Sequence, residues 1–185
     1  MALLRNLMVI TLTALTLISC SDKSLQKYLV AKQDDPKFVK VDLPTSLLEG
    51  KNSSFGQEEK DILKTIKKIN VVAYPIKAGD TTEYLSERNE LESILRQDRF
   101  KELTRIKSKN WNATLKYTGE EDAIDEVIVY ANDSERGFAI FRLLGKNMRP
   151  DQMLHLMKSV EDGDLDLSKL SGLSDVFTGV FKDSI

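Results

Sequence analysis

Apolar residues recur along this chain at helical spacing in its first half and at strand spacing in its second. Ser24 is placed to cap a helix running to about Lys32, with Leu25, Tyr28 and Leu29 on one stripe. Over residues 38–43, Phe38, Lys40 and Asp42 alternate with Val39, Val41 and Leu43, which predicts a strand stopped by Pro44. A polar Asn, Ser and Gly loop over residues 50–56 follows. Residues 58–69 then carry Ile62, Leu63, Ile66 and Ile69 at helical spacing, with Lys60, Lys64, Lys67 and Lys68 facing elsewhere. Residues 71–74 predict a buried strand ended by Pro75. Strand, helix and strand make a βαβ-like unit, whose crossover is right-handed if both strands share a sheet. A second long helix is expected over residues 83–97, anchored by Tyr84, Leu91, Ile94 and Leu95.

Beyond Phe100 the pattern shortens. Strands are expected at 103–109, 113–118, 124–131 and 137–145, parted by Asn110-Trp111-Asn112 and by polar turns at 119–123 and 132–136. Connections this short favour an antiparallel four-strand meander. In the last two strands both faces are apolar, Val127 and Val129 against Ile128 and Tyr130, then Phe138 and Ile140 against Ala139, Phe141 and Leu143. Such strands are central or covered on both sides. A final helix begins near Pro150 and runs to about Val160. Residues 162–172 lead into a terminal segment with Leu165, Leu167, Leu170, Val176 and Phe177. The pattern as a whole predicts one α+β domain, a meander packed against helices.

The N-terminus carries a different signal. Behind Arg5, residues 7–18 form an apolar run broken only by Thr11, Thr13 and Thr16, and the chain turns polar at Ser21-Asp22-Lys23. A spanning helix needs about 20 apolar residues, so the run reads as a secretory leader. It ends in Leu17-Ile18-Ser19-Cys20, and Cys20 is the chain's single cysteine. A large aliphatic residue three places ahead of a cysteine and a small one just before it resemble the lipobox of bacterial lipoproteins. There the thiol is joined to diacylglycerol before the leader is cut away. Cleavage after Ser21, discarding Cys20, is the competing reading; a solitary cysteine at this one position favours lipidation. The expected divisions are therefore a signal peptide over 1–19, a lipidated tether over 20–23 and a folded domain over 24–185. Each buried methylene of an acyl chain contributes about 0.8 kcal/mol, so two or three chains hold the domain at a bilayer without a polybasic patch. From 27 Lys plus Arg against 29 Asp plus Glu, the leader removes Arg5 alone, which leaves an acylated mature chain at a formal charge of −3. That mildly acidic balance argues against nucleic acid as a partner. With Cys20 modified no thiol is left for a disulfide, and stability rests on the core.

The order of elements and particular stretches resemble one known family. These are Phe38-Val39-Lys40-Val41, Ile69-Asn70-Val71-Val72-Ala73-Tyr74, Phe100-Lys101-Glu102-Leu103, Ile124-Asp125-Glu126-Val127-Ile128-Val129, Phe138-Ala139-Ile140-Phe141 and Asp166-Leu167-Ser168-Lys169-Leu170. Together they are similar to bacterial envelope lipoproteins described as domain of unknown function 4252. The resemblance implies a Bacteroidetes-type Gram-negative source, a lipoprotein leader and no established enzymatic activity. For members encoded near extracytoplasmic sigma-factor genes it implies an envelope-stress association. A surface-export signal in such bacteria places acidic residues just after the lipidated cysteine, and Asp22 followed by Lys23 and Ser24 leaves leaflet and exposure open.

The residue inventory is poor in catalytic groups. His155 is the single histidine, and at about 100° per residue it points away from the face formed by Met153, Leu156, Met157 and Val160, as a solvated side chain would. Ser24-Leu25-Gln26-Lys27 matches S-x-x-K, yet it lies beside the anchor without the accompanying motifs of Ser/Lys acyl enzymes, and helix capping accounts for Ser24 better. Asp162, Asp164 and Asp166 open like a calcium loop, but Leu167 and Leu173 stand where such a loop needs glycine and glutamate. Glu120, Glu121 and Asp122 read as a solvated turn. Trp111, between Asn110 and Asn112, is a candidate exposed anchor for a partner or a ring folded back over its hairpin. Asp80-Thr81-Thr82 and Asp183-Ser184-Ile185 resemble short acceptor motifs for O-glycosylation. The expected function is that of a non-catalytic envelope lipoprotein of the outer membrane, without cofactor or metal. Its partners are the membrane through Cys20 and an unknown envelope protein. The alternatives are a membrane-anchored hydrolase and a carrier of a small ligand or lipid.

Overall fold

The computed structural model describes residues 23–43, 55–107 and 109–161. The leader, the lipobox of Leu17, Ile18 and Ser19, Cys20, and all that follows residue 161 lie outside the described residues.

Among the described residues ten elements follow in chain order: α1 Leu25–Ala31, β1 Val39–Leu43, α2 Gln57–Thr65, β2 Ile66–Pro75, α3 Thr81–Leu95, β3 Lys101–Lys107, β4 Trp111–Glu120, β5 Ala123–Asp133, β6 Gly137–Met148 and α4 Pro150–Glu161. The strands form one sheet in the order β1-β2-β6-β5-β4-β3, every neighbouring pair antiparallel. β3 to β6 are the expected meander, and β6 closes it against β2. The fold is α+β, as the residue pattern indicates.

Helix starts are set by local polar groups. The Ser24 hydroxyl accepts a hydrogen bond from the Lys27 N–H at 3.1 Å, and the Asp80 carboxylate accepts one from the Glu83 N–H at 2.8 Å. α2 has Glu58 and Glu59 in its first turn and Lys64 in its last, the arrangement that its dipole favours.

Both faces of β2, β6 and β5 are covered. On one face Ile69, Val71 and Ala73 of β2, Val127 of β5 and Ala139 of β6 pack with Ile62 and Leu63 of α2 and with Met153 and Leu156 of α4. On the other, Val72, Tyr74, Ile128, Tyr130, Phe138 and Ile140 pack under Leu25 and Tyr28 of α1 and Tyr84, Leu91, Ile94 and Leu95 of α3. This second core is aromatic: Phe38 meets Tyr74 edge-on at 4.9 Å, and Tyr74 stacks on Phe138 at 5.6 Å. Two-sided burial is why β5 and β6 carry apolar residues at consecutive positions.

The first half keeps the strand, helix, strand order but not a parallel crossover. Val39 lies opposite Ala73 and Leu43 opposite Ile69, so β1 and β2 run antiparallel. The helix expected to reach residue 69 ends at Thr65, and the chain passes into β2 with no loop between them. It thereby enters the sheet at the end where β1 finishes. α3 then carries the chain from β2 to the far edge, where β3 begins.

Candidate functional site

The described residues place most of the sequence candidates in structural roles. Trp111 opens β4 and is 7% exposed, packed with Ala113, Ala131 and Ile106. The ring folds over its hairpin, and the Ser134 N–H of the β5–β6 turn donates to the Asn110 carbonyl beside it at 3.0 Å. Ser24 is occupied as a cap, and Lys27 beside it is exposed. Asp80 caps α3, leaving Thr81 and Thr82 exposed in its first turn. Glu120, Glu121 and Asp122 are exposed at the β4–β5 turn. His155 is half-exposed, as a residue off the apolar face should be, but it is not simply solvated: its Nε2 lies 2.8 Å from Glu59 Oε1 on α2. Asp162, Asp164, Asp166 and Asp183-Ser184-Ile185 lie outside the described residues. Among the described residues, no group of three His, Cys, Asp or Glu gathers as a metal site.

The most distinctive surface feature joins residues far apart in sequence. α3 covers the sheet only as far as β5, and beyond it β3 and β4 present alternate side chains to an open cleft of about 430 Å³. Register makes this lining. Glu102 lies opposite Lys116, Arg105 opposite Thr114 and Lys107 opposite Asn112, so these positions share one face. With Arg96 at the end of α3, four cationic side chains, Arg96, Arg105, Lys107 and Lys116, line the cleft beside the carboxylate of Glu92, while Glu102 on the same face pairs with Arg105. The whole chain carries a formal charge of −2, so this concentration of positive charge opposes the overall balance.

Glu92 is already engaged. It accepts a hydrogen bond from the Tyr130 hydroxyl at 3.0 Å and lies 3.8 Å from Arg88 and 3.6 Å from Arg96. Burial, and then the negative charge of Glu92, hold the Tyr130 phenol well above its ordinary range, so it stays a neutral donor. Arg105 pairs with Glu102 at 2.5 Å and remains half-exposed. The Lys116 ammonium donates to the Phe100 carbonyl at 3.2 Å, which fixes its direction without neutralising it. Lys107 forms no ion pair among the described residues and is exposed. The cleft therefore keeps a positive field that attracts anions.

Elsewhere, partners depress carboxylates. Asp42 is held low by the Lys68 ammonium, Asp61 by Lys64 and Asp151 by Arg149, while Glu59 is lowered first by its own backbone N–H and then by His155. A general acid needs a shift in the opposite direction.

One further contact ties the cleft to the N-terminal segment. The Gln97 amide donates to the Lys23 carbonyl at 2.9 Å, and the Lys23 ammonium pairs with Glu90 at 3.0 Å. Gln97 follows Arg96, so the start of the described chain is pinned to the end of the helix that walls the cleft. No residue pattern announced this site. Its trace in sequence is a period of two, Arg105, Lys107 and then Lys116, visible only once the β3–β4 register is known.

No curated protein and no solved structure matches the chain. The stretches between Phe38 and Phe141 that carry the family resemblance all fall inside one matched region, and Asp166-Leu167-Ser168-Lys169-Leu170 falls beyond it. That region, residues 28–156, runs from α1 into α4 and matches the sequence model described as Domain of unknown function (DUF4252), to which family the chain belongs.

Proposed function

We propose that this protein is a non-catalytic lipoprotein of the Gram-negative cell envelope, held in the outer membrane by an acylated Cys20. Its α+β domain binds another envelope component or takes part in envelope stress sensing. The observation that carries the reading is the short distance in sequence between anchor and fold. Leu17-Ile18-Ser19-Cys20 is followed after only Ser21 and Asp22 by Lys23, which is already fixed to α3 through Glu90 and Gln97. A domain that begins this close to a lipidated residue works at the membrane surface. A lipid carrier calls for a large apolar cavity; the cleft beside α3 is lined by charged and polar side chains, with Leu95 as the apolar exception.

Cys20→Ser tests the anchor. The variant is expected to lose incorporated fatty acid and to leave the membrane fraction, and retention of both overturns the reading. Crosslinking in the intact envelope tests the partner: one reproducible adduct is expected, and its absence from repeated screens counts against partner binding.

A further inference from the structure

We infer that the cationic cleft between α3 and the β3–β4 hairpin binds the phosphate headgroup of an anionic phospholipid in the bilayer to which the chain is tethered, which rests on the proposed anchoring through Cys20. Geometry carries this first. Three peptide steps separate Cys20 from Lys23, and an extended chain covers at most about 3.6 Å per residue, so an acylated Cys20 keeps the membrane surface within roughly 11 Å of Lys23. Gln97 grips Lys23 on the flank of α3 that meets α1. Arg96, the residue before it, faces the cleft on the opposite flank. Tether and cleft are thus about one helix diameter apart, ~10–12 Å, at the same end of α3.

Chemistry carries it second. Arg105, Lys107 and Lys116 come from two paired strands and converge on one open space, with Arg96 opposite them. Guanidinium groups match phosphate oxygens in bidentate fashion, and ammonium groups add point charge. The Tyr130 hydroxyl and Arg96 occupy Glu92, which leaves it little repulsion to offer an incoming anion. Asn112 and Thr114 add neutral hydrogen-bonding groups to the floor. A protein held by its acyl chains alone is free to tilt and rotate. Phosphate in the cleft adds a second point of attachment and fixes which face meets the bilayer.

The test uses the full-length protein purified from membranes and reconstituted into vesicles of phosphatidylcholine alone or with one third phosphatidylglycerol. Lysines are modified with an amine-reactive reagent and read by mass spectrometry. Anionic vesicles are expected to reduce modification of Lys107 and Lys116 at least about fivefold relative to neutral ones, while Lys60, exposed on α2, reacts equally in both. Arg96→Gln with Arg105→Gln is expected to restore most of the lost reactivity. Equal labelling in both vesicles, or protection that the double variant leaves intact, overturns the proposal. Equal protection by inorganic phosphate in neutral detergent also overturns it, by showing a free-anion site. The mass of the N-terminal peptide in the same digest judges the anchor separately: acylated Cys20 with unprotected lysines sinks the cleft assignment and leaves the anchor standing, and protection without acylation does the reverse.

Discussion

His155 Nε2 and Glu59 Oε1 lie 2.8 Å apart, joining α4 to the first turn of α2 across 96 residues of sequence. The two helices cover the same face of the sheet through Met153, Leu156, Ile62 and Leu63, and this polar contact closes their outer edge. Ser159, one turn beyond His155, reaches the same carboxylate oxygen at 3.5 Å.

The contact makes the α2–α4 layer sensitive to acid. Glu59 is held below the ordinary carboxylate range, first by its own N–H and then by His155. An unfolded glutamate titrates near ~4.3, and the folded value is lower. The charged form therefore stabilises the fold fully above the unfolded value, and that contribution is lost as pH falls through the folded one. Thermal midpoints of the wild-type protein and Glu59→Gln should differ at about pH 5, and the gap should shrink as pH falls below about 4. A gap that persists unchanged at pH 3 would refute the assignment.

Gly137 is required by a close approach of backbone. Its φ is +123°, and a Cβ there would sit 2.1 Å from the Tyr74 carbonyl oxygen and 2.8 Å from the Ile76 nitrogen. The β5–β6 turn around it is held by Asp133, which accepts from the N–H groups of Glu135 and Arg136, so the backbone has little room to yield. Gly137→Ala should lower the free energy of unfolding by about 3 kcal/mol or more in a denaturant titration, combining the left-handed conformation with a steric clash. A loss under about 1 kcal/mol would mean that the turn relaxes freely.

Much of the fold is written in the residue pattern because the two-sided sheet leaves a clear mark. β5 and β6 alternate between two apolar sets, one buried and the other buried or partly so. The end of α2 is harder to read, and the reason is a bulge. Ile62, Leu63, Ile66 and Ile69 keep helical spacing, yet Ile66 and Ile69 belong to β2. The β2–β6 register slips between Ile66 and Lys68, and the extra residue turns Ile66 and Ile69, three apart, toward the same core. Ile124 and Val127 repeat this in β5, whose register with β4 slips by one residue between Glu126 opposite Thr118 and Ile124 opposite Gly119. A bulged strand imitates one turn of helix in its hydrophobic spacing. The cationic cleft escaped for a different reason: Arg96, Arg105, Lys107 and Lys116 look like ordinary solvated charges until strand pairing and the end of α3 bring them together.

Arg142 and Glu126 form a mostly buried pair on the α1 side of the sheet, their side chains 14% and 13% exposed, and the Arg142 guanidinium also donates to Gln26 of α1. Removing one partner strands the other charge where little water reaches it. Glu126→Leu should therefore cost about 3 kcal/mol. Replacing both residues with leucine removes the stranded charge and should cost less than either single change. Chemical denaturation of the four proteins reads the coupling, and strict additivity would show that the two side chains do not interact.

Trp111 offers a sharper contrast between shape and polarity. Its indole is buried with Ala113, Ala131 and Ile106, and its Nε1 has no hydrogen-bond partner among the described residues. An unpaired buried N–H is costly, so the ring is held by packing despite its polar atom. Trp111→Ala opens a cavity and should cost about 3–4 kcal/mol. Trp111→Phe keeps most of the ring contact and removes the unsatisfied donor, so it should cost no more than about 1 kcal/mol. Because Trp111 is the single tryptophan of the chain, its fluorescence reports directly on this site. The native emission should lie to the blue of the unfolded protein and resist quenching by iodide. A ring that quenches as readily as free tryptophan, with Phe and Ala variants equally stable, would return Trp111 to the surface as an anchor for a partner.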